Sequence, residues 1–119
     1  LSKVEEAVAA KPDSVIAVLG LAFKANIDDL RESPSLKIAT QMAKSFTSHR
    51  VLAVEPNIHE LPAALASFPN VELAEVNAAI NEADIVVLLV DHKEFVGLWR
   101  QDLAAKTIID TKGLWPRQP

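Results

Sequence analysis

Short, mainly apolar runs recur along the chain, separated by stretches whose apolar residues return every three or four positions. The first run, Val15 to Leu19, is followed by Val51 to Val54, Val71 to Leu73, Ile85 to Val90 and Thr107 to Asp110. Each has the length of a strand. Ile85 to Val90, six apolar and mostly β-branched residues, has the character of a central strand covered on both faces. Between the runs the spacing is helical. Leu1, Val4 and Val8 share one face of a helix that Pro12 stops. Leu36, Ala39, Met42, Ala43 and Phe46 form an apolar stripe, with Lys37, Gln41 and Lys44 opposite. Ser33 is placed to cap that helix and Pro34 to occupy its first turn, where a missing N–H costs nothing. Asn57 and Glu60 are spaced as a capping box for a short helix through Ser67, with Pro62 restricted to its first turn or a kink. A helix near Glu75 to Glu82 turns Val76, Ala79, Ile80 and Ala83 inward. Asp91 and Glu94 form a second box, leading a helix toward Asp102.

Strands alternating with helices mean βαβ units and right-handed crossovers. The expected fold is α/β, a Rossmann-like three-layer sandwich with a five-stranded, mainly parallel sheet. Topology rules, rather than residues, favour the strand order 3-2-1-4-5. The 119 residues suffice for a single domain, residues 1–119, with a sizeable core, and half are hydrophobic.

Charge and composition then exclude several classes. A net charge of −4 argues against nucleic acid as a partner, because binding a phosphate backbone needs a basic face. No apolar run approaches the length of a membrane span, and the opening residues carry no signal-peptide pattern. A cytoplasmic location is expected. With no cysteine, neither a disulfide nor a thiolate metal site is available. The opening on Leu1 rather than Met is expected of a fragment of a larger protein.

The densest chemistry lies between the first strand and the Ser33 helix. Lys24 and Arg31 supply cationic donors, with Asp28, Asp29 and Glu32 beside them to orient those donors. Open α/β sheets bind ligands at the carboxyl ends of their strands, and the helix start beyond this stretch favours an anion. Phe23 adjoins Lys24, and a flat aromatic beside a phosphate-seeking cation suits a nucleotide. The bland alternative is a solvated charged connection. Lys112, just past the fifth strand, belongs on the same rim and can join the same anion site. A self-contained dinucleotide site is rejected: only Gly20, Gly97 and Gly113 are present, and G-x-G-x-x-G is absent. Glu55 then reads as a strand-end acid before the turn at Pro56, and Asp91 as a helix cap. His49, His59 and His92 are isolated from one another, so no metal site is expected. Trp99 and Trp115 read as packing groups.

The run from Gly20 to Pro34, with Phe23, Lys24, Asn26, Asp28, Asp29, Leu30, Arg31, Glu32 and Ser33 in order, resembles the signature of the C-terminal domain of the UDP-glucose/GDP-mannose dehydrogenase family. Residues 54–59, 89–95 and 109–115 narrow the resemblance to members that oxidise UDP-N-acetyl-D-mannosamine for bacterial surface polysaccharides such as enterobacterial common antigen. The rivals are a fragment of a UDP-glucose or GDP-mannose 6-dehydrogenase and a non-catalytic Rossmann-like interaction domain.

The resemblance implies an oxidoreductase that converts the sugar C6 alcohol to a carboxylate with two NAD⁺. It implies that NAD is bound mainly by another domain, that an upstream cysteine forms the covalent thiohemiacetal, and that the full enzyme is a homo-oligomer. No catalytic residue falls within this chain, which alone is expected to be inactive. By the same resemblance Phe23, Lys24 and Lys112 contact the UDP moiety, and Arg31 reaches NAD across the domain cleft. Lys112 stands where arginine is frequent and lacks its bidentate fork. Ala25 stands where proline is usual.

Overall fold

The computed structural model describes residues 2–22, 33–56, 58–97 and 106–111. The elements in chain order are α1 (Ser2–Ala10), β1 (Ile16–Leu19), α2 (Pro34–Ser45), β2 (Val51–Val54), α3 (Ala63–Ala66), β3 (Val71–Leu73), α4 (Val76–Glu82), β4 (Ile85–Leu88), a 3₁₀ turn (Lys93–Phe95) and β5 (Thr107–Asp110). The five strands form one sheet in the order β3-β2-β1-β4-β5, every pairing parallel. The register is unbroken across the centre: Ile16 lies between Val51 and Ile85, and Leu19 between Val54 and Leu88.

Every residue of β1, β2 and β4 is buried. This explains why their sequences are continuous apolar runs rather than alternating ones: both faces of the sheet are covered. The two-residue period of a strand still sorts the side chains. Ile16 and Val18 face Val4 of α1, Ala39, Met42 and Ala43 of α2, and Leu65 of α3. Ala17 and Leu19 face the other way, toward Ala79 and Ile80 of α4 and Phe95. The chain is therefore three layers deep, with α1, α2 and α3 on one face and α4 and the 3₁₀ turn on the other.

This layering fixes where a ligand site can lie. From β1 the chain steps outward through α2 and α3 to β3. It then returns over the opposite face through α4 and enters the sheet on the far side of β1. The direction of winding thus reverses between β1 and β4, and their carboxyl ends flank the crevice that such a reversal creates.

The helix starts differ in how they match the sequence pattern. Ser33 caps α2 as expected: its backbone is extended (φ −69°, ψ 123°), its Oγ accepts from Leu36 N at 3.2 Å, and Pro34 opens the helix. Glu75 caps α4 through its own side chain, which accepts from Ala78 N at 3.1 Å. The Asp91 capping box does not form, and Asn57 of the other expected box lies outside the described residues. Helix α3 begins only at Ala63, with Pro62 as its N-cap and no side-chain cap. After β4, His92 rather than Asp91 precedes the turn Lys93–Phe95, again with no side-chain cap. Leu89 and Val90, expected to extend β4, are buried but lie beyond its end. The expected helix toward Asp102 lies outside the described residues. No described helix is long and apolar enough to cross a membrane.

Candidate functional site

The carboxyl rim of the sheet is built by the chain segments that leave β1, β2 and β4. At the end of β1 the backbone bonds to both neighbouring strands: Gly20 N donates to Val54 O at 2.8 Å, and Leu89 N donates to Leu19 O at 2.9 Å. Gly20 is required here on two counts. Its φ is +100°, and a Cβ at this position would lie 2.5 Å from Val90 Cβ.

The next two residues, Leu21 and Ala22, are buried and held by a buried acid. Glu55 Oε1 accepts from Leu21 N at 2.9 Å and from Ala22 N at 3.0 Å. The same oxygen lies 2.9 Å from His92 Nε2. A carboxylate is an acceptor only, so Nε2 is the donor. Both side chains are fully buried, with 0% exposure. His92 is held in turn by Phe95, whose ring meets the imidazole edge-on at a centroid distance of 5.5 Å. On its other side, Leu21 O accepts from Ser33 Oγ at 2.7 Å. The hydroxyl that caps α2 therefore also ties the residue where the chain leaves β1. Both ends of the 23–32 connection are clamped at one point.

This arrangement adds to the sequence reading of two residues. Glu55 is no ordinary strand-end acid: 3% exposed, it is the acceptor on which the end of β1 converges. His92, apart from the other histidines, pairs with Glu55 although 37 positions separate them. Asp91 is exposed at the edge of this assembly. A signal was available in principle. Glu55 and His92 each come after a buried run, and those runs form the two strands flanking β1, so their ends must share a rim.

The expected contacts Phe23, Lys24, Arg31 and Lys112 lie outside the described residues, as do Asp28, Asp29, Glu32, Trp99 and Trp115. The described chain stops at Ala22, next to Phe23, and at Thr111, next to Lys112. Thr111 belongs to the same rim, since its Oγ1 donates to Leu88 O at 2.6 Å.

Two of the clefts among the described residues open beside the rim. One of about 430 Å³ lies past β2 and β3, between Glu55, His59, Glu75 and Glu94. The exposed carboxylates at it, Glu75 and Glu94, suit hydroxyl donors rather than phosphate. The other, about 490 Å³, lies between α1, α2 and the ends of β4 and β5, lined by Val4, Ile38, Met42, Leu89 and Ile109 among others. Among the described residues no group of His, Asp or Glu is arranged to hold a metal.

Residues 17–117 match the model of the UDP-glucose/GDP-mannose dehydrogenase family, UDP binding domain. The chain is 49% identical over 115 residues to an NDP-N-acetyl-D-galactosaminuronic acid dehydrogenase of Ralstonia nicotianae, covering 97% of this chain and 26% of that protein. It is 47% identical over 100 residues to a UDP-N-acetyl-D-mannosamine dehydrogenase of Salmonella typhi, covering 84% of this chain and 23% of that protein. Among solved structures, the native UDP-N-acetyl-mannosamine dehydrogenase of Staphylococcus aureus superimposes with a TM-score of 0.72 at 28% identity, over 98% of this chain and 27% of the other. The chain thus spans about a quarter of the length of the relatives it matches. From the match along the sheet and its rim, the chain belongs to the UDP-glucose/GDP-mannose dehydrogenase family, of which it carries the UDP binding domain.

Proposed function

We propose that residues 1–119 form a single UDP-sugar-binding domain of an NAD-dependent UDP-N-acetyl-D-mannosamine 6-dehydrogenase. The observation that carries this reading is the family match from 17 to 117, which runs across every strand end of the rim. In this reading Lys24 and Lys112 hold the diphosphate, Phe23 lies against the nucleotide, and Arg31 reaches toward NAD held by another part of the protein. The high identity to the Ralstonia relative, over nearly the whole chain, favours one second reading in which the N-acetylated sugar is of the galactosamine rather than the mannosamine series.

Oxidation of the C6 alcohol to a carboxylate removes two hydrides and takes one oxygen from water. NAD, when bound, supplies the hydride acceptor. The described residues offer no dinucleotide cradle of their own. The turn after β1 has one glycine, Gly20, whose missing Cβ is filled by Val90, and the amides of Leu21 and Ala22 are already occupied by Glu55. This chain's part is to bind and orient the nucleotide end of the substrate, so that the sugar C6 projects toward the remainder of the enzyme. The work is done in the cytoplasm, within a homo-oligomer, on behalf of surface polysaccharide synthesis.

Calorimetric titration of UDP into the chain tests this. Wild type binds UDP, and Lys24→Ala weakens binding by the value of one charge-assisted phosphate contact, about 1.5–3 kcal/mol or roughly ten- to a hundredfold. Arg31→Ala leaves UDP affinity nearly unchanged and lowers turnover in the longer enzyme. Equal affinity of wild type and Lys24→Ala would sink the assignment of Lys24. A chain that binds no UDP would favour a non-catalytic interaction domain.

A further inference from the structure

Glu55 and His92 stand in an unusual relation to the sheet. They come directly after β2 and shortly after β4, which are not neighbours: each pairs with β1 and lies on opposite sides of it. Strands two places apart are about 9–10 Å from each other. The Glu55–His92 bond therefore bridges that gap directly over the end of β1, at 2.9 Å and in complete burial. Beneath the bridge, Oε1 takes both amides of the turn, Leu21 N and Ala22 N. In dinucleotide-binding turns the backbone amides at this place face the ligand's phosphate. Here a carboxylate of the chain itself occupies them, and no ligand anion can.

We propose that Glu55, supported by His92, is a positioning residue for nucleotide binding: an internal acceptor that consumes the amides of Leu21 and Ala22, holds the backbone at the end of β1, and so leaves phosphate recognition to side chains rather than to this turn. The inference rests on the reading of the 23–32 connection as the UDP site. It assigns Glu55 no contact with the nucleotide. Its effect passes through Leu21 and Ala22, and the Ser33 bond to Leu21 O closes the base of the connection from the other side.

The test is calorimetric titration of UDP into the wild-type chain and four variants, with folding monitored by circular dichroism. Glu55→Ala removes the acceptor, and UDP affinity falls about tenfold or more, the value of losing charge-assisted order at the base of the site. Glu55→Gln keeps an oxygen that can accept from both amides, so it restores affinity to within about threefold of wild type. His92→Ala leaves the carboxylate on the amides but removes its support, giving an intermediate loss. Ile80→Ala, a cavity at an α4 residue whose side chain makes no hydrogen bond to the turn, lowers stability while leaving UDP affinity unchanged, which separates positioning from general loosening. Should Glu55→Ala fail to fold, His92→Ala carries the decision. If wild type binds UDP and the Glu55 and His92 variants bind equally well, or more tightly because the freed amides accept phosphate, the inference is overturned while the UDP site stands. If wild type binds no UDP, the reading of the connection as a UDP site is overturned, and this inference with it.

Discussion

The two ends of the sheet solve the same problem by opposite means. At the amino end, charges meet in water. Arg50 pairs with Glu72 and, at 3.1 Å, with Glu82, all of them more than half exposed. Lys11 pairs with Asp84, which also accepts from Val15 N at 2.9 Å. At the carboxyl end, Glu55, His92 and Ser33 are buried, and their partners are the backbone of the turn after β1 and one another. Exposed pairs gain little, because water solvates the partners almost as well and salt screens them. Buried polar groups gain little from being made but cost much when one partner is lost, because the remaining group has no water to turn to. The amino rim can therefore vary with small consequence. The carboxyl rim is held to one arrangement, which is the property a binding site needs.

The largest effect that would sharpen this contrast is expected from Glu55→Ala. Two buried amides and an imidazole lose their acceptor, and the loss is about 3–5 kcal/mol in urea unfolding. A change under about 1 kcal/mol would mean that the buried bridge contributes no more than a surface pair, and the contrast would fail. Ser33→Ala comes next. It removes the cap of α2 and leaves Leu21 O without its donor, so it should cost roughly 1–2 kcal/mol. An unchanged denaturation midpoint would show that the hydroxyl does neither job.

Smallest is Asp84→Asn at the amino rim, expected within about 1 kcal/mol at neutral pH. The Lys11 hydrogen bond, then that of Val15 N, holds the Asp84 carboxyl below its ordinary value of 3.8. A carboxyl whose pKa is lower folded than unfolded binds its proton less readily in the folded chain. Its contribution is therefore complete above 3.8 and disappears as the pH falls through the folded value. The stability gap between wild type and Asp84→Asn should accordingly close in acid, and in high salt. A gap that widened on acidification would reverse the sign and refute the assignment.

Much of the fold could be read directly. The buried strands are legible because each is a continuous apolar run, and a parallel sheet covered on both faces demands such runs. The α2 start is legible because Ser33-Pro34 is a local signal, complete within a few residues of chain. Where local signals misled, a neighbour had overridden them. Asp91 and Glu94 have capping spacing, yet His92 is drawn inward to Glu55, and the chain makes a 3₁₀ turn around Phe95 instead. Asn57 and Glu60 have it too, yet the helix waits for Pro62, which fixes the backbone before Ala63.

The sequence alone determined the α/β class, the placement of all five strands and the location of the charged connection between β1 and α2. Those properties come from periodicity and from residues close together in the chain. Only the tertiary structure decided that Glu55 and His92 act as a unit, and that the amides of Leu21 and Ala22 are theirs. Their pairing spans 37 positions and depends on β2 and β4 flanking β1. A hydrogen bond requires two atoms within about 3 Å, and no pattern of residues along a chain specifies that distance until the strands between them have found their order.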